Sequence, residues 1–445
     1  MSNPVSVPVQ LAETDLAPGL TREELIEIES QVHERLVEEI RPPVLAAMSK
    51  ERMLQQIEQI GDKVLQERSL ALPTRVRARL VREVYYEVRG YGPIHPLVED
   101  PTLTEIMVNG PKQVWAERDG KLFLTDRVFK DDAHVMRVID RIVTPLGRRI
   151  DEASPMVDGR LPDGSRVNAI IPPLALHGPH LNIRKFSRVP YTADDLTAFG
   201  TYTRQIMEFL KACVVGRLNV IVSGGTGSGK TTTLNVLSSF IPSSERIVTI
   251  EDAAELRLQQ EHVVSLESRP PNIEGRGEIT IRHLVRNSLR MRPDRIIVGE
   301  TRGGEALDML QAMNTGHDGS LSTAHTNSPR DTLSRLETMV LMAGTDLPSR
   351  AIREQVSSAI SLIVHQARYR DGSRKCTHVS EIQGMEGDTI VLQDLFLFIQ
   401  EGVDKDGNVI GYHTATGLRP KCLPRLEAQG LFLAPDTFSP LGGMR

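Results

Sequence analysis

The stretch LNVIVSGGTGSGKTTTLNVL, residues 218–237, decides the fold of this chain. It begins with apolar and β-branched residues typical of a buried strand, continues as a glycine-rich turn, and ends in a helical pattern from about Lys230. Residues 224–231 fit the pattern G-x-x-x-x-G-K-[ST], in which backbone N–H groups curl around a phosphate. A chance match in a chain of this length is on the order of one or two per hundred. The sequence therefore predicts a nucleoside triphosphate site rather than a glycine-rich turn with a structural lysine.

The same motif predicts which residues hold the nucleotide and its cation. Lys230 is expected to reach the β- and γ-phosphate oxygens, and the Thr231 hydroxyl to bind Mg²⁺, so ATP and Mg²⁺ are the predicted cofactors. Lys230 is the only cation in the loop and its flanks, so further positive charge has to come from elsewhere in the protein. The predicted nucleotide-binding residues are Gly224, Gly225, Thr226, Gly227, Ser228, Gly229, Lys230, Thr231 and Thr232. The loop occurs in kinases, GTPases, helicases and motors alike, and it does not name a function.

Composition narrows the class of protein. The 445 residues, 40% hydrophobic and 25% charged, are typical of a soluble globular protein of about three domains. An aromatic content of 4% and a net charge of −5 disfavour a nucleic-acid partner. The three cysteines are far apart and predict neither a zinc cluster nor a disulfide framework. No apolar run approaches bilayer length and the first residues do not resemble a secretory signal, so we expect a cytoplasmic protein.

Hydrophobic periodicity and turn signals divide the chain into regions. Helical patterns fill the first part after a capping box at Thr21 and Glu24, hairpin signals mark the next part, and alternating strands and helices fill the rest. The predicted fold class is α/β, with a C-terminal phosphate-loop (P-loop) domain preceded by a small α+β domain and an all-helical region. The predicted boundaries are a disordered tail at 1–20, a helical domain at 21–90, an α+β domain at 91–189, a linker at 190–204 and the phosphate-loop domain at 205–445.

Acidic residues follow two further predicted strands. RIIVGETRG reads as the strand that normally ends in an aspartate beside Mg²⁺, but Gly299 stands in that place and Glu300 follows. A second acidic cluster lies in RIVTIEDAAEL, with Glu251, Asp252 and Glu255. The carboxyl ends of parallel strands meet at one edge of a sheet, where ligands bind. We therefore expect both clusters to reach the phosphates of one nucleotide. Glu251 is a further candidate Mg²⁺ ligand.

A third polar stretch, GHDGSLSTAHTNS, places His317 and His325 around another strand-like run. The two histidines lack the spacing of a zinc site. They are candidate functional residues, and structural histidines with satisfied hydrogen bonds are the alternative interpretation.

The phosphate loop, the acidic box IEDAAE, the strand end VGETRGGEA and the histidine box occur in an order that resembles the secretion ATPase superfamily. This superfamily comprises the motors of type II and type IV secretion, type IV pili and Tad pili, and the resemblance covers roughly residues 90–400. The sequences of three motifs, GHDGSLSTAHTNS, NIRKF and SGGTGSGKTTTLN, look most like those of the CpaF-type ATPase of Tad/Flp pili. Typical type II secretion motors carry a tetracysteine zinc module, which this sequence does not contain.

The resemblance implies roles for the acidic residues and a RecA-like ATPase fold for the phosphate-loop domain at 205–445. Glu255 would activate the attacking water, and Glu300 would hold Mg²⁺ through water and sense the γ-phosphate. His317 and His325 would couple the nucleotide state to conformation. The alternatives are a surface helix acid for Glu255 and a strand-end cap for Glu251 or Asp252.

The family also places arginines of the smaller domain over the phosphates, where they close when ATP binds. The candidates are Arg160, Arg166 and Arg184, the first two in the turn-rich segment DGRLPDGSR. Guanidinium groups match the geometry of phosphate oxygens. Each of them, taken singly, could also be an ordinary surface arginine.

The function implied by the resemblance is a cytoplasmic homohexameric ATPase that drives assembly, and possibly retraction, of a Tad/Flp-type pilus. Its partners would be inner-membrane pilus platform proteins, which would hold it at the cytoplasmic face of that membrane. Residues 21–90 would form the adaptor to the platform. The alternatives are a type IV secretion motor, a nucleic-acid translocase and a nucleotide-gated scaffold without turnover.

Overall fold

The described part of the computed structural model comprises residues 21–118, 120–185, 190–271, 276–344 and 346–440. The predicted tail at 1–20 lies outside these ranges, as do residues 186–189 ahead of the predicted linker. Contacts group the chain into two units, residues 1–187 and residues 188–445.

The first unit begins with helices. They are α1 (Arg22–Glu39), α2 (Pro42–Ala47), α3 (Lys50–Glu67), α4 (Thr74–Arg89) and α5 (His95–Glu99). The predicted capping box is confirmed, since the Glu24 backbone N–H donates to Thr21 Oγ1 over 3.2 Å and the Thr21 N–H donates to Glu24 Oε2 over 2.8 Å. Apolar side chains of α1, α3 and α4 share one core, which includes the fully buried Val32 and Ile57.

The rest of the first unit is a six-stranded antiparallel sheet with one long helix. Its elements are β1 (Leu103–Asn109), β2 (Val114–Arg118), β3 (Lys121–Leu124), α6 (Asp132–Val143), β4 (Met156–Arg160), β5 (Arg166–Ile170) and β6 (His180–Arg184). The strand order is β3-β2-β1-β6-β5-β4. Alternate residues of β5 and β6, such as Val167 and Ile183, enter the core together with Val138 of α6. The intervening polar residues of these strands therefore lie on the other face of the sheet.

The second unit is built around a nine-stranded sheet. Its helices are α7 (Ala193–Ala198), α8 (Arg204–Val215), α9 (Lys230–Ser238), α10 (Ile281–Ser288), α11 (Glu305–Asn314), α12 (Pro329–Leu341), α13 (Ser349–Ala359) and α14 (Leu423–Glu427). Its strands are β7 (Val220–Gly224), β8 (Ile247–Glu251), β9 (Val263–Glu267), β10 (Arg295–Thr301), β11 (Leu321–His325), β12 (Leu362–Arg368), β13 (Arg374–Glu386), β14 (Thr389–Val403) and β15 (Val409–Ala415). The order is β15-β14-β13-β12-β7-β11-β10-β8-β9.

The part of this sheet from β12 to β9 is parallel, and β13 to β15 extend it with antiparallel strands. Every residue of β7 and β8 is buried, as expected for parallel strands covered on both faces. Two apolar clusters supply the cover, one centred on α8 and α9 and the other on α11, α12 and α13. The mixed α/β class is confirmed, and the carboxyl ends of the parallel strands meet at one edge.

The stretch 190–204, which we expect to be a linker, differs from that expectation. It contains α7, and the side chains of Leu196 and Tyr202 are buried in the core of the second unit. The Tyr202 hydroxyl donates a hydrogen bond to Thr233 Oγ1 of α9 over 3.2 Å. The apolar spacing in so short a segment was too weak a signal to reveal this packing. The domain boundaries stay predictions.

None of the described helices is both long and apolar enough to cross a membrane.

A cavity of about 390 Å³ lies within the first unit, between α1, α4 and α6. Charged groups of both signs line it, and two carboxylates there are paired: Glu83 with Arg127 over 2.8 Å and Glu87 with His134 over 3.0 Å. Glu29 of α1 shares this cavity. Burial, reinforced by the negative charge of Glu83, raises the pKa of Glu29 to about 8.

This shift predicts how the stability of the protein depends on pH. The pKa of Glu29 in the folded protein lies above the unfolded value of 4.5. The contribution of Glu29 to the free energy of unfolding is therefore most favourable below about pH 4.5, and it is lost as pH rises towards 8. Glu29→Gln imitates the protonated acid and should stabilise the protein at pH 8 by roughly 2–4 kcal/mol.

The measurement is the free energy of unfolding of both proteins at pH 5 and pH 8. Glu38→Gln, at an exposed acid of the same helix outside the cavity, is the control and should change little at either pH. Equal effects of Glu29→Gln at the two pH values would contradict the assignment.

Candidate functional site

The phosphate loop joins β7 to α9 at the carboxyl edge of the parallel sheet. Gly224 has φ of +152°, and a side chain there would collide with the carbonyl oxygen of Gln366. Gly227 and Gly229 have φ of +69° and +94°, in the region that favours glycine. The Lys230 ammonium folds over the loop and donates to the Gly225 carbonyl oxygen over 2.9 Å. The segment thus has the strand, turn and helix order that the motif predicts, and a helix start is a suitable place for an anion.

The structure explains why glycine replaces the expected aspartate at the end of β10. A Cβ atom on Gly299 would lie 2.7 Å from Cγ of Glu251, so the side chain of Glu251 occupies the room that an acid at 299 would need. Glu251 ends the neighbouring strand β8, and its side chain is buried.

A β-bulge then displaces the acid by one position. Val298 and Thr301 of β10 lie opposite Ser322 and Ala324 of β11, so β10 carries one extra residue here. Bulges redirect side chains and are frequent beside functional sites. The side chain that leaves the sheet at this point belongs to Glu300, which is a quarter exposed. The extra residue is the reason that the acid appears one residue late in the sequence.

Glu251 organises the acidic box. Its Oε1 accepts backbone N–H groups of Glu255, over 2.9 Å, and Leu256, over 3.1 Å. The Ala254 N–H donates to Glu267 of β9 over 2.9 Å, which fixes the same loop from the other side. These contacts correspond to the strand-end cap considered as an alternative for Glu251. The half-buried side chain of Glu255 belongs to a segment whose backbone is held in place.

Arg302, which the sequence did not single out, connects the two acidic clusters. Its guanidinium donates to Glu300 Oε2 over 2.5 Å and to Asp252 Oδ2 over 3.2 Å. The hydrogen bond to Glu300, with further attraction from Asp252 and Glu255, raises the pKa of Arg302. The predicted meeting of the acids at one edge of the sheet is thus visible in the contacts of a single arginine. The sequence could have identified Arg302 as a candidate site residue, because it lies only two positions after Glu300.

The two histidines lie at opposite ends of β11. His325 is directly opposite Gly224 in the pairing of β11 with β7, beside the phosphate loop. Burial, with the charge of Lys230 adding to it, lowers the pKa of His325. His317 precedes the amino end of β11, and its carbonyl accepts the hydroxyl of Ser320 over 2.8 Å. The structure therefore brings His325, but not His317, to the edge where the phosphate loop lies.

The three candidate arginines of the first unit form one row across its sheet. Arg160 of β4 pairs with Arg166 of β5, which pairs with Arg184 of β6. Directly paired residues of antiparallel strands project from the same face, so the three side chains lie side by side. Glu105 of β1 continues the row, with Oε1 4.0 Å from Arg184 Nε.

The residues at the sheet edge fit an Mg²⁺ ion that arrives with the nucleotide. Mg²⁺ in nucleotide sites uses one or two protein oxygens together with phosphate oxygens and water. Thr231, in the first turn of α9, and Glu300 supply such oxygens. Among the described residues there is no cluster of three or more acidic, histidine or cysteine side chains that would hold a metal by itself.

Comparison with known proteins places these features in a family. The family model described as Type II/IV secretion system protein matches residues 87–418. A putative conjugal transfer protein of Mycobacterium tuberculosis is 38% identical over 320 residues, which cover 71% of this chain and 90% of that protein. The type IV secretion system protein VirB11 of Brucella suis is 31% identical over 318 residues, 65% of this chain and 88% of that protein.

Among solved structures, the VirB11 ATPase of Brucella suis in complex with sulphate matches with a TM-score of 0.37 and 29% identity. The match covers 67% of this chain and 94% of that one. The family model spans most of the chain and includes the phosphate loop, both acidic clusters and the histidine box. This chain belongs to the Type II/IV secretion system protein family of secretion ATPases.

Proposed function

We propose that this chain is a cytoplasmic ATPase motor that drives assembly of a Tad/Flp-type pilus. The observation that carries the catalytic part is the convergence at one sheet edge. The charges of Lys230 and Glu300 both act on the imidazole of His325 there, and Arg302 joins Glu300 to the acidic box. Phosphoryl transfer to water requires a phosphate-binding loop together with carboxylates and cations placed around it.

In this proposal the phosphate loop binds the triphosphate and Lys230 leaves the Gly225 carbonyl to contact the β- and γ-oxygens. Thr231, through its hydroxyl, and Glu300, through water, would hold Mg²⁺, which would supply positive charge against the negative charge that develops on the phosphate oxygens. Arg302 fixes the direction of the Glu300 carboxylate, because it holds that group and Asp252 at once.

Glu255 positions and activates the attacking water. Glu251 supports it indirectly, since the Glu251 carboxylate accepts the backbone N–H of Glu255 and closes the box around the end of β8. The two glutamates thus have different tasks. One acts on water, and the other sets the conformation of the loop that carries it.

The arginine row of the first unit supplies charge to the γ-phosphate when the units close on ATP. Three guanidinium groups in adjacent register offer a planar array of donors for phosphate oxygens. Such groups are worth roughly 10³–10⁵ in rate where they reach a phosphoryl-transfer transition state. The row binds little to ADP, which lacks the oxygens that it would hold.

The assembly that we infer is a homohexamer at the cytoplasmic face of the inner membrane, bound to pilus platform proteins through α1 to α4. The amino-acid sequences of the histidine box and of the phosphate loop support the Tad/Flp assignment. The similarity to a putative conjugal transfer protein favours a second candidate, a motor of type IV secretion.

A genetic experiment separates the two candidates. Deletion of the gene should abolish surface pili, and complementation with the wild type but not with Lys230→Ala should restore them. Pili are counted by electron microscopy and DNA transfer by mating in the same strains. Normal pili together with lost DNA transfer would contradict the pilus assignment and support the secretion motor.

The two glutamates of the acidic box should respond differently to substitution. Glu255→Gln should slow ATP hydrolysis by about 10²–10⁴-fold while ATP still binds, because a base or water-positioning group is lost. Glu251→Ala should also weaken ATP binding and lower the melting temperature, because two backbone N–H groups lose their acceptor. ATPase rates, nucleotide affinities and melting curves of both variants check this. A fully active Glu255→Gln would disprove the role of Glu255.

The arginine row should affect turnover more than ADP binding. Arg166→Ala and Arg184→Ala should each lower the ATPase rate at least tenfold and change ADP affinity less than twofold. Arg149→Ala, at an exposed arginine of the same unit, is the control. The measurements are ATPase rate, ADP affinity and oligomer mass. Unchanged turnover in both row variants would remove the arginines from the site.

A further inference from the structure

A buried histidine of β12, His365, lies directly beside the start of the phosphate loop. In the parallel pairing of β12 with β7 it is opposite Ser223, the residue before Gly224. Ala324, the residue before His325, is opposite the same serine in the pairing of β7 with β11. His365 is thus in one row of the sheet with the residues that lead into the phosphate loop and into His325.

The imidazole of His365 contacts the strand of the phosphate loop through a hydrogen bond in the protein interior. Its Nδ1 atom lies 2.8 Å from Ser223 Oγ. His365 is 5% exposed, and Ser223 is fully buried. The next residue of β12 is Gln366, whose carbonyl oxygen excludes a side chain from Gly224. The end of β12 therefore contacts the beginning of the loop twice.

The hairpin that follows His365 supports the backbone of the same loop further on. Arg374 Nε donates to the Gly227 carbonyl oxygen over 2.9 Å. A Cβ atom on Gly227 would lie 3.1 Å from Arg368 Nη1. The contact of His365 differs from these two, because it reaches the strand that leads into the loop rather than the glycines of the turn.

The environment of His365 keeps its imidazole neutral. Burial lowers the pKa of His365 to about 4, and the charges of His378 and Lys230 act in the same direction. A hydrogen bond with the backbone of Asn327 and the charge of Asp331 oppose this shift without cancelling it. At physiological pH the ring therefore has one N–H donor and one nitrogen that accepts.

The hydrogen bond with Asn327 gives the direction of both contacts. A partner that raises the pKa of a histidine favours the protonated ring, so the backbone group of Asn327 is its carbonyl oxygen and the imidazole donates to it. With Nδ1 engaged by Ser223, the donor is Nε2–H. The Ser223 hydroxyl then donates to Nδ1, which is the accepting nitrogen of the neutral ring.

Asn327 belongs to the histidine turn, residues 325–328, which follows β11 and begins with His325. The Thr326 backbone N–H donates to the Gly224 carbonyl oxygen over 3.4 Å. Thr326 Oγ1 also lies 2.8 Å from Thr332 Oγ1 of α12. Two residues of the turn are thus tied to the start of the phosphate loop, Thr326 directly and Asn327 through the imidazole of His365.

We propose that His365 is a positioning residue for ATP hydrolysis, which holds the histidine turn in a fixed place beside the phosphate loop and acts through His325. This inference rests on the proposed nucleotide site and on the place of His325 within it. A neutral imidazole suits the task, because it joins a hydroxyl to a carbonyl group without adding a charge beside Lys230. His365 itself does not contact the nucleotide.

The test is a kinetic cycle of His325→Ala, His365→Ala and the double variant, all made in the full chain. His365→Ala should lower kcat about ten- to a hundredfold, because a displaced histidine turn no longer meets the phosphates correctly. The dissociation constant of ADP should stay within about twofold, because the phosphate loop and Lys230 remain. The double variant should be as slow as His325→Ala alone, and effects that multiply would overturn the proposal.

Two further variants show whether the hydrogen bond matters or only the packing. His365→Gln offers an amide N–H to the Asn327 carbonyl oxygen and should recover most of the kcat that His365→Ala loses. His378→Ala is the matched control, because His378 is directly paired with His365 and hydrogen-bonds to Thr377 instead. It should keep the kcat of the wild type. A His365→Gln as slow as His365→Ala would contradict the assigned hydrogen bond.

The remaining outcomes separate this inference from the proposed function. If the wild type hydrolyses ATP and either His365→Ala or His325→Ala is equally fast, the inference is wrong and the proposed function stands. If His365→Ala loses ADP binding together with turnover, His365 supports the phosphate loop itself and the inference is also wrong. If the folded wild type hydrolyses no ATP, both fail.

Melting curves identify any variant that does not fold. Ser223→Ala then takes the place of His365→Ala in the cycle, because it removes only the hydroxyl that fixes the ring. It should also lower kcat and leave ADP affinity nearly unchanged. A Ser223→Ala protein with the kcat of the wild type would contradict the role of the imidazole.

Discussion

The close contact between Glu251 and Gly299 is the constraint on which the acidic side of the site depends. Parallel strands β8 and β10 end together, and the space between them at that edge holds one acidic side chain. Glu251 takes it. Position 299 must then lack a side chain, and the acid of β10 can enter the site only after the bulge, as Glu300.

The same contact also fixes the backbone of the acidic box. A buried carboxylate is costly unless its oxygens accept hydrogen bonds. Glu251 accepts them from the backbone of Glu255 and Leu256, so the box is wrapped around the group that excludes a side chain from position 299. A change at either Gly299 or Glu251 would therefore disturb both acidic clusters. Arg302, between Glu300 and Asp252, makes their coupling direct.

Local patterns predicted the parts of the structure that local physics controls. The strand, loop and helix around Lys230 follow from β-branched residues, glycines at positive φ and a helical apolar pattern, and all three are present. The gathering of acids at one edge followed from the geometry of parallel strands. The bulge at Gly299 was not predictable, because an extra residue in one strand is visible only against its neighbour. The distance of His317 from the loop could have been foreseen, since the histidines flank a strand and a strand separates its two ends.

Contacts between segments that are distant in the chain could not be predicted from the sequence. The arginine row depends on the register of β4, β5 and β6, and that register is set by the turns and by the buried alternate residues. Arg368 and Arg374 reach the phosphate loop from about 140 residues downstream because β12 pairs with β7 in parallel.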